Sequence, residues 1–336
     1  MRIRVLAALA VTATLALGGC AASPGGDGGD DVDLGTVRII GIGVPDFTAV
    51  DVEKWKLNLE EAGFDVDFKT VEEEDAALRA VVAGAADMYV GSLPSLITAV
   101  QNAGAEVKNV AVNAQSTSYV VLANNDIQSI DDLAGQIVGV NTPGSAGDTI
   151  MRLALEAEGF DTDLPEYVVI GGSSARVAAL QAGQIAATVA HIGLAESAIA
   201  TGQFHALLYC GPALGAYLQT GLNVATAYAD ENPEAMQAVV DAFIEAQRWA
   251  ASDKAGYLEL SETIDSETDL AIRDATYDSL LAQDFWGVNG GIDDASVDNW
   301  LKISIEAGDL AEPVPATGDW LDQRFVLDYL ERNGEF

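Results

Sequence analysis

From Val37 onward, short runs of apolar residues alternate with longer stretches in which they recur every three or four positions. Val37 to Val44 is β-branched and stops at Pro45, so it predicts a strand that ends where backbone pairing fails. Val50 to Ala62 has helical spacing and closes on Gly63, and Phe64 to Thr70 alternates like a second strand. Asp75 to Ala83 predicts a helix stopped by Gly84, Ala86 to Val90 a third strand and Pro94 to Gln101 another helix. Val107 to Val112 and Tyr119 to Ala123 follow as strands. Repeated β-α-β order of this kind predicts an α/β fold with mostly parallel sheets flanked by helices.

A second cycle repeats the layout. Asp131 to Gly135 opens a short helix with acids at its N-terminal end, where they suit the dipole. Ile137 to Val140 is a strand, Asp148 to Glu158 a helix, Glu166 to Ile170 a strand, Ser174 to Ala182 a helix and Ala186 to Ala190 a strand. Pro233 to Ala251, Asp265 to Gln283, Asp294 to Ala307 and Leu321 to Arg332 then read as helices without strands between them. This C-terminal helical block is expected to close onto the first lobe.

Composition allows two lobes: 336 residues at 49% hydrophobic and 20% charged can bury a full core. Lys and Arg number 16 against 52 Asp and Glu, a formal net charge of -36. Such a surface repels nucleic acid, whose binding depends on neutralising phosphates, and that class is excluded. Saline adaptation or solubility accounts for the acidity as well as any ligand does. Cys20 and Cys210 are the two cysteines, and neither they nor His191 and His205 form a zinc pattern, so no cofactor or metal is expected.

The N-terminal stretch carries its own message. Arg2 and Arg4 precede an apolar run, Val5 to Leu17, that ends in Leu17-Gly18-Gly19-Cys20. This describes an export signal rather than a mature membrane span. Small residues directly before cysteine resemble a bacterial lipobox, which implies cleavage after residue 19 and acylation of Cys20. A plain secretory signal with an incidental cysteine is the alternative. Residues 20 to 35, rich in Gly and Asp, predict a flexible acidic linker.

Four segments carry a wider resemblance: Val37 to Val44 with Glu61 to Val66, Ala83 to Ser92, Ser129 to Val140, and Ala179 to Ala187. They resemble substrate-binding proteins of bacterial ABC importers, in the branch that includes nitrate, sulfonate, taurine and thiamine-pyrimidine binders. The resemblance implies a type II periplasmic-binding-protein fold, two α/β lobes joined by two crossing strands. Residues 36–121 and 223–336 would form lobe 1, and 122–222 lobe 2. It further implies a monomer on the outer face of the cell membrane, tethered by lipid. That monomer would deliver a small-molecule ligand to permease subunits driven by a cytoplasmic ATPase.

Ligands of open α/β sheets sit beyond the carboxyl ends of strands, which directs attention to the loops there. Phe47 offers a stacking face or, equally, a hydrophobic staple. Ser92 starts a helix and reads alone as an N-cap, although the matching family loop lines the cleft. Ser116 and Thr117 precede the crossing into the second lobe. Gly144 and Ser145 belong to a small-residue loop at a helix N-terminus, a geometry suited to oxyanions. That loop contains Asp148 and no Lys or Arg, which favours a neutral or cationic heterocycle, unless Asp148 merely suits its helix end. His191 and Glu196 could hydrogen-bond a polar ring, against a purely structural reading of each. Trp286, in a Gly-containing loop, could cap the cleft, while Trp249, Trp300 and Trp320 read as core.

Two other classes compete. Some proteins of this fold are cytosolic enzymes of pyrimidine or menaquinone pathways. Here no Gly-x-Ser-x-Gly elbow or P-loop appears, and the Cys-rich motif of eukaryotic pyrimidine synthases is missing. A non-transport surface lipoprotein, adhesin or sensor partner, would share the anchor but needs no cleft.

Overall fold

The computed structural model describes residues 34–42, 49–142, 145–215, 217–291, 293–306 and 308–336. Cys20, Phe47 and Gly144 lie outside them.

The first lobe starts with β1 (Thr36–Ile42), α1 (Val50–Glu61), β2 (Asp65–Val71), α2 (Glu74–Val82), β3 (Met88–Ser92), α3 (Leu93–Ala103) and β4 (Val107–Ala114). The chain then crosses. β5 (Tyr119–Asn124), a 3-10 turn (Ile130–Leu133), β6 (Ile137–Val140), α4 (Ala146–Ala157), β7 (Glu166–Val169), α5 (Ser173–Gln181), β8 (Ala187–His191), α6 (Ile192–Ile199) and β9 (Phe204–Tyr209) build the second lobe. α7 (Cys210–Leu214) leads back to β10 (Thr220–Ala225), and α8 (Thr226–Glu231) follows. The rest is helical: α9 (Pro233–Ser252), α10 (Lys254–Ile264), α11 (Leu270–Ala282), α12 (Asp294–Glu306), α13 (Thr317–Trp320) and α14 (Arg324–Asn333).

The two sheets have matching orders, β2-β1-β3-β10-β4 and β7-β6-β8-β5-β9. In each, the fourth strand comes from a crossing and runs antiparallel to both neighbours; β10 pairs Leu222 with Val90 and β5 pairs Val120 with Ala190. The remaining strands of each sheet share one direction, so the two lobes repeat one topology and are stitched by exchanged strands. β5 lies wholly in the second sheet and β10 wholly in the first. The expected lobe boundaries at 121/122 and 222/223 therefore fall inside these two strands.

Local chemistry explains the elements. Ser92 caps α3 by accepting the Ser95 amide at 3.3 Å, Pro94 fits the first turn, and Gly104 ends the helix at φ +61. Gly41 lets Phe68 of β2 lie across β1, since a Cβ there would be 2.7 Å from the ring. Trp55 fixes α1 on α9 by meeting Phe243 edge-on, with centroids 5.2 Å apart, while its indole N–H donates to the Val239 carbonyl.

The C-terminal helices do not close on the first lobe alone. α9 and α14 do pack there, but α11 packs against α6, where Ser279 Oγ donates to Glu196 at 2.7 Å. Trp300 and Trp320 sit fully buried in a core that joins Leu93 and Ile97 of the first lobe to Val140 and Cys210 near the second. Helical periodicity shows that a face is buried but does not say against which lobe. Among the described residues no helix is long and apolar enough to cross a membrane.

Candidate functional site: the interlobe cleft

The carboxyl ends of β1, β2 and β3 meet the two crossings in an open space between the sheets. One cavity of about 580 Å³ is lined from the first lobe by α2, α3 and Thr220, and from the second by Tyr119 and Ile150. Tyr217, Gln219 and Asp309 complete it from the return crossing and the segment after α12. A second cavity of about 340 Å³ lies over the ends of β1 to β3 and shares Ser92 and Thr220 with the first.

The charges are one-sided. The described residues lining these cavities include Glu53, Glu74, Asp75 and Asp309, and no Lys or Arg. Glu53 is paired with Lys56 at 2.7 Å and Asp75 lies 3.7 Å from Arg79, both at the rim. Glu74 and Asp309 have no basic partner among the described residues. Burial raises the Glu74 carboxyl above its usual range, opposed by bonds from the Ser92 N–H at 2.6 Å and the Ser95 hydroxyl at 3.2 Å. Burial likewise raises Asp309, opposed by the Tyr217 hydroxyl. Beneath the floor, buried Asp51 accepts from Asn113 at 3.3 Å and Gln247 at 3.0 Å, while Asn113 Oδ1 accepts from Thr220 at 3.0 Å. Asp51 thus fixes the amide that orients a cavity-lining hydroxyl.

Ser92 lies where both cavities meet. His191 is exposed at the end of β8, stacked on Tyr119 with centroids 4.3 Å apart and bonded through Nδ1 to Ser118 Oγ at 3.2 Å. Of this pair Tyr119 lines the larger cavity, whereas His191 lines neither. Ser145 bonds Asn141 Oδ1 at the start of α4.

The other expected residues have structural surroundings. Asp148 is 2% exposed and holds Arg152 one turn on at 2.9 Å. Glu196, 6% exposed, accepts from Tyr209 and Ser279 and so ties α6 to β9 and α11. Thr117 is buried, and its Oγ1 accepts from the Tyr119 amide. Ser116 faces a separate cavity beside Gly211 and Gln283. Trp286, expected as a cap, is 2% exposed and packed against Tyr257 and Tyr277, with centroids 5.5 and 5.3 Å away. Its loop is clipped to β4 through a bridge to Ala114, which turns the ring inward.

A family model described as NMT1/THI5 like matches residues 45–255, more than half of the chain. The chain belongs to this NMT1/THI5-like family. Its fold is that of the type II periplasmic-binding proteins. A putative periplasmic sulfonate-binding protein, SsuA, from Methylobacillus flagellatus aligns with TM-score 0.70 at 17% identity, over 89% of this chain and 95% of its own. The alkanesulfonate-binding SsuA from Xanthomonas axonopodis, bound to MOPS, gives 0.61 at 18%, over 85% and 98%. The desulfurization enzyme DSZB also gives 0.61 at 18%, over 88% and 99%. No curated protein matches the sequence.

Within this NMT1/THI5-like chain, sequence reasoning missed Glu74, Tyr119, Tyr217 and Asp309. Tyr119 was visible as the first residue of a strand, and alternation could have pointed it to the cleft. Asp309 carried no local signal, because only the packing of α12 brings it to Tyr217. Arg176 was also missed; its buried guanidinium donates to the carbonyls of Gly171 and Val189 and to two hydroxyls. It lines neither cleft cavity and holds α5 to β8.

Proposed function

We infer that this chain is the extracytoplasmic, lipid-anchored receptor of an ABC importer and that it captures a small neutral or cationic heterocycle between its lobes. The fold and the family are those of solute binders, and Cys20 supplies the tether. The observation that carries the ligand class is the cleft's lining: carboxylates, tyrosines and hydroxyls, without Lys or Arg among the described residues. Tyr119 and Tyr217 offer aromatic faces to a flat or positive solute, and Asp309 offers it a counter-charge. A sulfonate in the same place would meet desolvated carboxylates and no cation.

The chain passes between the two sheets at the β4–β5 and β9–β10 crossings, and rotation about them opens and closes the cleft. A solute touching Ser92 on one side and Tyr119 on the other favours closure in proportion to its preference for the closed form. The closed surface is then what the permease reads.

The DSZB likeness raises an enzyme reading. Cys210 does not favour it, since the thiol is buried and pushed up to about 12, which keeps it protonated and inert. Thermal unfolding with a panel of nitrogen heterocycles and alkanesulfonates tests the binding reading. A rise in Tm with the heterocycles alone supports it, and a rise with sulfonates alone refutes the ligand class. For the anchor, Cys20→Ser is expected to move the protein from the membrane to the soluble fraction; a variant that stays at the membrane would refute acylation at that residue.

A further inference from the structure

α3 begins at the floor of the cleft, and an N-terminus of this kind ordinarily attracts an anion. In this chain three of the donor groups there are already engaged. The Ser92 amide donates to Glu74 Oε1 at 2.6 Å, the Ser95 hydroxyl donates to Oε2 at 3.2 Å, and the Ser95 amide turns back to Ser92 Oγ. Pro94 has no N–H to give. Glu74 reaches this point from the first residue of α2, eighteen residues before Ser92, and Gly91 leaves room for it: a Cβ there would lie 2.9 Å from Oε1. The same carboxylate lines the 340 Å³ cavity, so it is both a partner of the helix start and a wall of the cleft.

We propose that Glu74 is an internal anion that fills the oxyanion position of the first lobe and thereby excludes anionic solutes from the cleft. A carboxylate and a sulfonate ask for the same two donors, so only one can hold them. With Glu74 in place, an incoming sulfonate finds the donors spent and a second negative charge beside them. The proposal makes Glu74 a specificity-determining residue, and it rests on the reading of the cleft as a site for a neutral or cationic solute.

The test uses the whole mature chain as wild type, Glu74→Ala and Glu74→Gln, each titrated with ethanesulfonate and with formate and followed by calorimetry and thermal unfolding. Wild type is expected to ignore both anions. Glu74→Ala frees the donors, so formate should raise its Tm and ethanesulfonate should bind roughly tenfold to a hundredfold more tightly than to wild type, the scale of one or two charge-assisted bonds. Glu74→Gln keeps the packing and removes the charge, and should gain a smaller but measurable affinity. If Glu74→Ala fails to fold alone, its recovery by formate supports the proposal.

Absence of any anion response in both variants overturns the assignment of Glu74 while leaving the ligand class intact. Tight ethanesulfonate binding by wild type itself overturns the reading of the cleft, and the proposal with it.

Discussion

Asp51 is buried in the first turn of α1, with two side-chain amides as partners and no salt bridge among the described residues. Burial raises its carboxyl above the ordinary range, so the folded chain takes up this proton at a higher pH than the unfolded chain does. Its contribution to stability therefore falls as pH rises through that window and is most favourable below it. Asp51→Asn keeps an acceptor oxygen and removes the charge. The variant should melt higher than the parent near neutral pH, with the difference shrinking as pH is lowered, as thermal unfolding against pH will show. Asp309 acts on ligand instead: Asp309→Asn should weaken a cationic solute about tenfold, the worth of one charge-assisted bond, and leave Tm nearly unchanged. Equal affinity in a calorimetric titration would remove Asp309 from the site. Ser92 and His191 were legible as strand-end residues because each closes a short apolar run, as the last residue of β3 and of β8. Asp309 was illegible for the opposite reason, since it reaches Tyr217 only through folding.

At the level of elements, the loop after α11 is a clasp on β4. Gly287 donates its N–H to the Asn113 carbonyl at 2.8 Å, and a Cβ on it would lie 2.0 Å from the Val112 carbonyl oxygen. Gly287→Ala should cost on the order of 1–3 kcal/mol of stability, the usual penalty for overpacking against unyielding backbone. Trp286 beside it fills the space between Tyr257 and Tyr277, so Trp286→Ala should lower stability by about 3–5 kcal/mol. Chemical denaturation checks both, and a Trp286→Ala protein as stable as its parent would return that ring to the cleft. Periodicity located most strands and helices within a few residues. It left α10 without an assignment, and likewise the strands β9 and β10. Those two strands hold Gly, Asn and His among their apolar residues, and tertiary pairing rather than local pattern makes them strands.

Over the whole molecule, the repeated sheet order and the exchanged strands make closure the natural large motion. The β-α-β rhythm was enough to expect two α/β lobes, whereas the packing of α11 on α6 of the second lobe depended on long-range contacts. Small-angle scattering should show the molecule contract when its solute is added. The account turns on what the cleft holds, and native mass spectrometry of the protein purified from its own host asks that directly. It predicts one retained small molecule per chain, neutral or positively charged. A retained sulfonate or other oxyanion would contradict it.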